Sequence, residues 1–408
     1  MRFPALQSRD FVIYTAGNVS AMNALWINRV VIGWLGWELT GLASWVGFLS
    51  FLLFAPTFIS SPLFGVILDR VDLRRAAIVS QSVVIAAVTA LLLFSVTGLL
   101  TIWLLGLVAL VIGVTSSADR TIRFVLVPLV VDKAALANAV AIHGINFNTA
   151  RLIGPAVGGF LIAAIGTDVT ILVNVLMILP FLAVLFVIKL RDREKPKAER
   201  QPFFREMLDG ARYAAGHPII RQAMLLSALY SITIRGVLEI LPAIADGEFH
   251  RGASGLGQML AASGAGALVA AVLIALRRPG ASERGITPAA YVAIVAGALG
   301  AVALGATDNW LIAMATVFVL GFSATTNGID LQTSLQLALS DVYRSRVMSL
   351  WILLVIGGAA VNAIALGFLA DLFGMSGTLI GAGIACAFLT GAGIFGSARP
   401  RGGTPPRP

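Results

Sequence analysis

The residues with chemistry to offer in this 408-residue chain are charged groups set inside apolar runs. Asp119 and Arg123 stand four apart, as do Arg235 and Glu239, so on a helix each couple shares a face and can pair. A buried carboxylate is costly unless it is paired or protonated. Glu239 is therefore either half of a structural ion pair with Arg235 or a protonatable group tied to water access. Arg29, toward the outer end of its run, is a rival to Glu239 or a substrate contact. His143, Phe147, Arg151, Gly154 and Gly158 fall along one helical stripe, in which the glycines allow close helix approach and Pro155 adds a bend. An arginine as deep as Arg151 must face protein or a water cavity, as a gate partner or an attraction point for an anion. For His143 a hydrogen-bonded packing role comes first and proton carriage second. Asn18, Met22, Trp26, Asn146, Tyr230 and Asn327 are polar or aromatic within apolar runs and form the expected pocket lining, with ordinary helix packing the alternative for each. Asp330 is expected in solvent near a helix end. No nucleotide-binding glycine loop, metal cluster or nucleophile triad accompanies these groups. Catalytic residues, metals and cofactors are not expected, the chain does not read as an enzyme, and an ion gradient is the expected drive.

Helices that cross a membrane must position these residues. The chain is 58% hydrophobic and 12% charged, with a mean hydropathy of +0.92. Continuous apolar runs long enough to span the hydrocarbon layer recur from end to end. They do not alternate, which leaves helices rather than a closed barrel. Twelve spans are expected, roughly 11–35, 43–64, 76–96, 102–127, 136–162, 170–189, 220–244, 255–276, 288–305, 310–334, 346–369 and 376–396. Arginine and lysine concentrate in alternate loops, which places both termini on the cytoplasmic side; of the opposite loops only one holds a basic residue, Arg251. This distribution also explains the net charge of +9 without a nucleic-acid partner. The first run is too long and too polar for a cleavable signal, and the lone Cys386 can form no internal disulfide.

Residues 190–218 divide the chain into an N-terminal six-helix half (1–189) and a C-terminal half with a short tail (219–408). The divider begins as charged linker. Phe203, Phe204, Met207, Leu208 and Ala211 then recur at helical spacing, as an amphipathic helix on the inner membrane face would. The halves echo one another: VGGFLIAAIG at 157–166 and ALGFLADLFG at 365–374 share glycine, phenylalanine, leucine and glycine at one fixed offset. Duplicated halves are a transporter plan, with the substrate site between them.

Between the second and third runs lies GVILDRVDLRR, in which Gly65, Asp69, Arg70, Arg74 and Arg75 follow the signature Gly-x-x-x-Asp-Arg-x-x-x-Arg-Arg. On these residues the chain resembles the major facilitator superfamily, and within it the efflux branch that includes enterobactin and macrolide exporters. ELTG at 38–41, Arg123-x4-Pro128, ARLIGPAVGG at 150–159, RGVLEILP at 235–242 and RVMSL at 346–350 carry the likeness through most of the chain. Gly154, Pro155, Gly158 and Gly159 resemble the fifth-helix motif of exporters. The resemblance implies a twelve-helix transporter of the cell inner membrane, a monomer by default. It would export a small amphipathic molecule (drug, macrolide or siderophore) in exchange for protons by alternating access. It also implies that Asp69 meets the start of the eleventh helix and an arginine of the fourth. Arg120, with no local partner, is the candidate there, and Arg123 belongs to the same switch. The chain departs from the pattern at Ala24 and Leu25, where many relatives carry glycine and an acid or serine, and near Arg277 and Arg278, where the second-half signature is incomplete. A lysophospholipid flippase and a non-transporting receptor are the rival readings.

Overall fold

The computed structural model describes residues 4–57, 71–191, 203–276 and 285–397, and no strand occurs among them. Gly65, Asp69 and Arg70 lie outside these residues, as do Arg277 and Arg278. The first helix, α1 (Arg9–Thr40), starts where the Ser8 hydroxyl accepts from the Phe11 N–H and stops at Gly41, whose φ of 62° lets its N–H reach the Trp37 carbonyl. Such a left-handed residue ends a helix and suits glycine. There follow α2 (Ala43–Phe54), α3 (Leu73–Val96), α4 (Ile102–Leu126), α5 (Leu136–Ile165), α6 (Thr167–Val187) and α7 (Phe203–Gly216). Beyond them come α8 (Pro218–Tyr230), α9 (Gly252–Ala275), α10 (Pro288–Gly305), α11 (Trp310–Ala338), α12 (Asp341–Ile352), α13 (Gly358–Phe373) and α14 (Met375–Ser397).

Among the described residues, eight helical stretches are long and apolar enough to cross a membrane. Large apolar side chains such as Trp103, Phe160, Phe186, Leu311, Phe368 and Phe388 stand exposed around the bundle. In water such a surface would be a liability; in lipid it is the required exterior. α1 is not among the eight. It carries Asn18, Asn23, Asn28 and Arg29, and it can do so because it packs inside the bundle, against α5 and α6, with Asn18 and Asn28 buried.

The echo between 157–166 and 365–374 has a conformational counterpart. α5 turns into α6 through Gly166 (φ 81°) and α13 into α14 through Gly374 (φ 84°). The echoed glycines about two turns earlier also serve alike. A Cβ on Gly159 would meet the Gly257 Cα of α9 at 2.5 Å, and one on Gly367 would meet the Ala43 carbonyl oxygen of α2 at 2.5 Å. Two helix crossings, α5 with α9 and α13 with α2, thus rest on backbone-to-backbone contact that only glycine permits.

The stretch expected as one span over 220–244 is broken. α8 runs on through wide five-residue turns at Ser231–Arg235, then a single α turn to Glu239, a break at Ile240 and further wide turns at Ala243–Glu248. The amphipathic segment forms α7, which touches α12 through Tyr213, stacked on Tyr343 with ring centroids 4.1 Å apart, and through Asp209, which faces Arg346 at 3.9 Å, while Leu208 stays exposed.

Candidate functional site

A cavity of about 760 Å³ lies between α1, α2 and α5 on one side and the Arg235–Pro242 segment, α9 and α11 on the other. Its lining on α5 runs from Ala141 to Pro155, on α9 from Leu256 to Ala271 and on α11 from Gly321 to Gln332. It therefore reaches toward the start of α5 and the ends of α9 and α11, where Val140, Ile145 and Leu268 are exposed. The opposite end is shut, and three contacts between N-terminal and C-terminal helices shut it. Trp37 Nε1 donates to Asp246 Oδ2 at 2.8 Å, and Gly159 abuts Gly257. The Asp371 carboxylate accepts from the Ala43 and Ser44 N–H groups, at 2.9 and 3.0 Å, at the start of α2. The last contact satisfies two orphan donors of a helix N-terminus and sets a negative charge on its positive end.

At the roof of the cavity Arg29 of α1 pairs with Glu239, and Ser50 of α2 donates to the same carboxylate at 3.2 Å. The Arg29 guanidinium also lies over the Phe54 ring, 4.3 Å from its centroid. The expected partnership of Glu239 with Arg235 is not formed. Both residues line the cavity, as their spacing implies, but Arg29 from another helix takes the carboxylate. Among the described residues the charged lining is complete with Arg29, Arg151, Arg235 and Glu239, and neither Arg151 nor Arg235 has a hydrogen-bond or ion-pair partner.

Of the residues expected to line a pocket, Trp26 does so. Asn18, Met22, Asn146, Tyr230 and Asn327 are instead buried in helix packing. Asn18 has a definite task there, accepting from the Arg123 guanidinium. Asp119 and Arg123 pair on one face of α4 at 2.6 Å, Gln81 of α3 donates to the same carboxylate at 2.6 Å, and Arg123 lies over Phe181 of α6 at 3.9 Å. Arg123 is thus locked among α1, α3, α4 and α6. Arg120, half-buried one residue before Thr121, has no partner among the described residues. Arg74 donates to the Ile188 carbonyl at 2.5 Å and so closes the end of α6, while Arg75 is exposed. Nearby, Arg191 binds Asp132 at 2.6 Å and holds its carboxyl below the usual carboxylate range.

The glycine stripe of α5 meets α1. A Cβ on Gly154 would meet that of Trp26 at 2.6 Å, and one on Gly158 would meet the Ile27 Cα at 3.2 Å. His143 sits between the Tyr14 and Phe124 rings, at 6.3 and 6.2 Å, rather than at the cavity. Asp330, expected in solvent, is buried and accepts from the Thr287 hydroxyl at 2.7 Å, tying α11 to the start of α10. Sequence reasoning passed over Trp37, Asp246 and Asp371 as closing residues. The signal for Asp371 was available, since it is the one charge in the 365–374 echo and replaces Ala163 of the first copy.

The profile of a family described as transmembrane secretion effector matches residues 3–400. The chain belongs to that family, within the major facilitator superfamily. It is a membrane transporter and not an enzyme. Among curated relatives, a staphyloferrin A transporter of Staphylococcus aureus is 25% identical over 226 residues, covering 55% of this chain and 56% of that protein. The match thus spans little more than half of that relative's length. The enterobactin exporter EntS of Escherichia coli is 25% identical over 311 residues, covering 74% of this chain and 71% of the exporter. The fold is similar to that of the nucleoside transporter NupG, with a TM-score of 0.73 at 11% identity over 95% of this chain and 99% of that one. It is also similar to a bacterial homolog of the human lysosomal transporter Spinster in an inward-facing, unoccupied conformation. There the TM-score is 0.72 at 12% identity, over 96% and 99% of the two chains.

Proposed function

We propose that this transporter exports a small amphipathic molecule of the siderophore class by alternating access, in exchange for protons. Two six-helix halves would rock about the cavity between them, in the cell inner membrane with both termini cytoplasmic. The observation that carries the reading is the cavity itself, shut at one end by contacts between N-terminal and C-terminal helices and reached from the other. With termini inside, the reached end faces the cytoplasm, where an exporter must load. The siderophore class comes from the staphyloferrin and enterobactin relatives.

Glu239 is the acidic group of the cavity lining among the described residues, which makes it the candidate proton carrier. Ionised, it binds Arg29 and helps hold the far end shut. Protonated, it would lose that charge-assisted bond, and the closure would weaken. On this reading an inward-open state with Glu239 ionised is the one that has delivered its proton. Gly65, Asp69, Arg70 and Arg120 remain the proposed switch on the cytoplasmic side, while Arg123 and Arg74 serve as supports for it.

Inside-out vesicles carrying the protein and an imposed pH gradient test this reading. Addition of a catecholate or citrate-based siderophore should dissipate the gradient, and the effect should be absent from empty vesicles and from Glu239→Gln. A gradient left untouched by siderophores, macrolides and dyes alike would overturn proton-coupled export.

A further inference from the structure

We propose that the cavity takes a dianion, an amphipathic molecule whose two negative groups are held by Arg151 and Arg235. The inference rests on reading the cavity as the transport site and adds the charge of its cargo. Four charged side chains line the cavity among the described residues, and two of them, Arg29 and Glu239, neutralise each other. The Ser50 hydroxyl adds a second bond to the same Glu239 oxygen, Oε2. Arg151 and Arg235 remain. Both are half-buried, and the charges of both act on Arg29. Guanidinium groups stay charged in proteins, and cations inside a membrane protein demand a partner or water. Two unneutralised arginines around one apolar-walled space therefore call for two anionic groups.

Their placement says how such a ligand would sit. Arg151 projects from α5, among the N-terminal helices, and Arg235 from the wide turn beyond α8, among the C-terminal ones. One ligand bound to both would bridge the two sides of the cavity. The planar fork of each guanidinium suits a carboxylate, a catecholate or a phosphate. Trp26 with Leu152, Leu256, Leu260 and Ile329 offers the apolar body of the ligand its walls. A volume of about 760 Å³ lies within the range of sites for drug-sized ligands, roughly 300–1,000 Å³. A cation of the same shape would meet a surplus of two positive charges and be repelled.

The test uses the full-length protein in nanodiscs, with equilibrium dialysis against four molecules of one shape. These are a naphthalene dicarboxylate, its monoamide, its diamide and the corresponding bis-ammonium compound. The dicarboxylate should bind about tenfold more tightly than the monoamide, and the monoamide about tenfold more tightly than the diamide, as expected for charge-assisted contacts. The bis-ammonium compound should not bind. Arg151→Gln and Arg235→Gln should each weaken the dicarboxylate about tenfold or more and leave the diamide unmoved. Arg151→Lys and Arg235→Lys keep the charge and should keep the preference for the dicarboxylate, so the wild type and the lysine variants decide the matter if the glutamine variants do not fold. Equal binding of dicarboxylate and diamide would overturn the proposal, as would glutamine variants with undiminished affinity for the dicarboxylate. Binding is read without flux, which keeps the two ideas apart. A dicarboxylate that binds with this charge dependence but is never moved would count against the transport reading alone. Charge-blind binding beside demonstrable export would count against the dianion alone.

Discussion

Arg29 and Glu239 stand 210 residues apart in the chain and meet at the roof of the cavity. Each residue could be picked out from sequence as a charge too deep to be idle, but their partnership could not. Spacing reports which residues share a helix face, as it does for Arg235 and Glu239, both of which line the cavity. It is blind to a third residue arriving from another helix. Where the partner is local, spacing suffices, as Asp119 and Arg123 show. Their network with Gln81 and Asn18 is fully buried, so Arg123→Gln should cost about 3–5 kcal/mol by leaving Asp119 without its cation. A lowered Tm in nanodiscs with unchanged dicarboxylate affinity would be the expected pair of results; reduced affinity at unchanged Tm would place Arg123 in the binding site instead. Asp330 and the buried Asn327 show the other limit of residue-scale reading. Polar character within an apolar run marks a helix contact as readily as a cavity wall, because buried polar groups are affordable wherever a hydrogen-bond partner is at hand.

At the scale of helices, the closed end depends on two crossings built from glycine and on the carboxylates of Asp246 and Asp371. Gly159→Val would drive two methyl groups into the backbone of α9 at Gly257. Siderophore-dependent proton flux should fall about tenfold or more, since even ~1.4 kcal/mol against the closed end is a factor of ten in its population, while the protein still elutes as a single species in detergent. Asp371→Ala removes two bonds to the start of α2 and should weaken that closure by about 1–2 kcal/mol. Its expected signature is faster thiol labelling of a cysteine placed at Gly33, which lines the cavity. Unchanged labelling would show that Asp371 merely caps α2. The ten-residue echo was legible in the sequence as a repeat, but that its glycines, seven residues before Gly166 and Gly374, make backbone crossings shows only in the structure. The wide turns at 231–235 and 243–248 left no comparable mark. A five-residue turn has no fixed residue pattern, and it often accompanies functional sites.

Over the whole molecule, hydropathy made the membrane fold legible, since a continuous apolar run has few other uses. It was less informative for α1, whose asparagines and arginine are sheltered by neighbouring helices rather than lipid. The cavity had no linear signature at all: its walls come from six stretches scattered between Trp26 and Gln332. In the proposed mechanism this cavity opens at one end as it shuts at the other, with Glu239 governing the change. Spin labels report this directly by double electron–electron resonance, in a background where Cys386, the lone cysteine, is replaced by alanine. One pair, at Leu42 and Leu372, spans the closed end, and the other, at Val140 and Leu276, spans the open end; all four side chains are exposed. Glu239→Gln, which mimics the protonated carrier, should lengthen the first distance and shorten the second. Unaltered distributions, or two distances that lengthen together, would contradict the account.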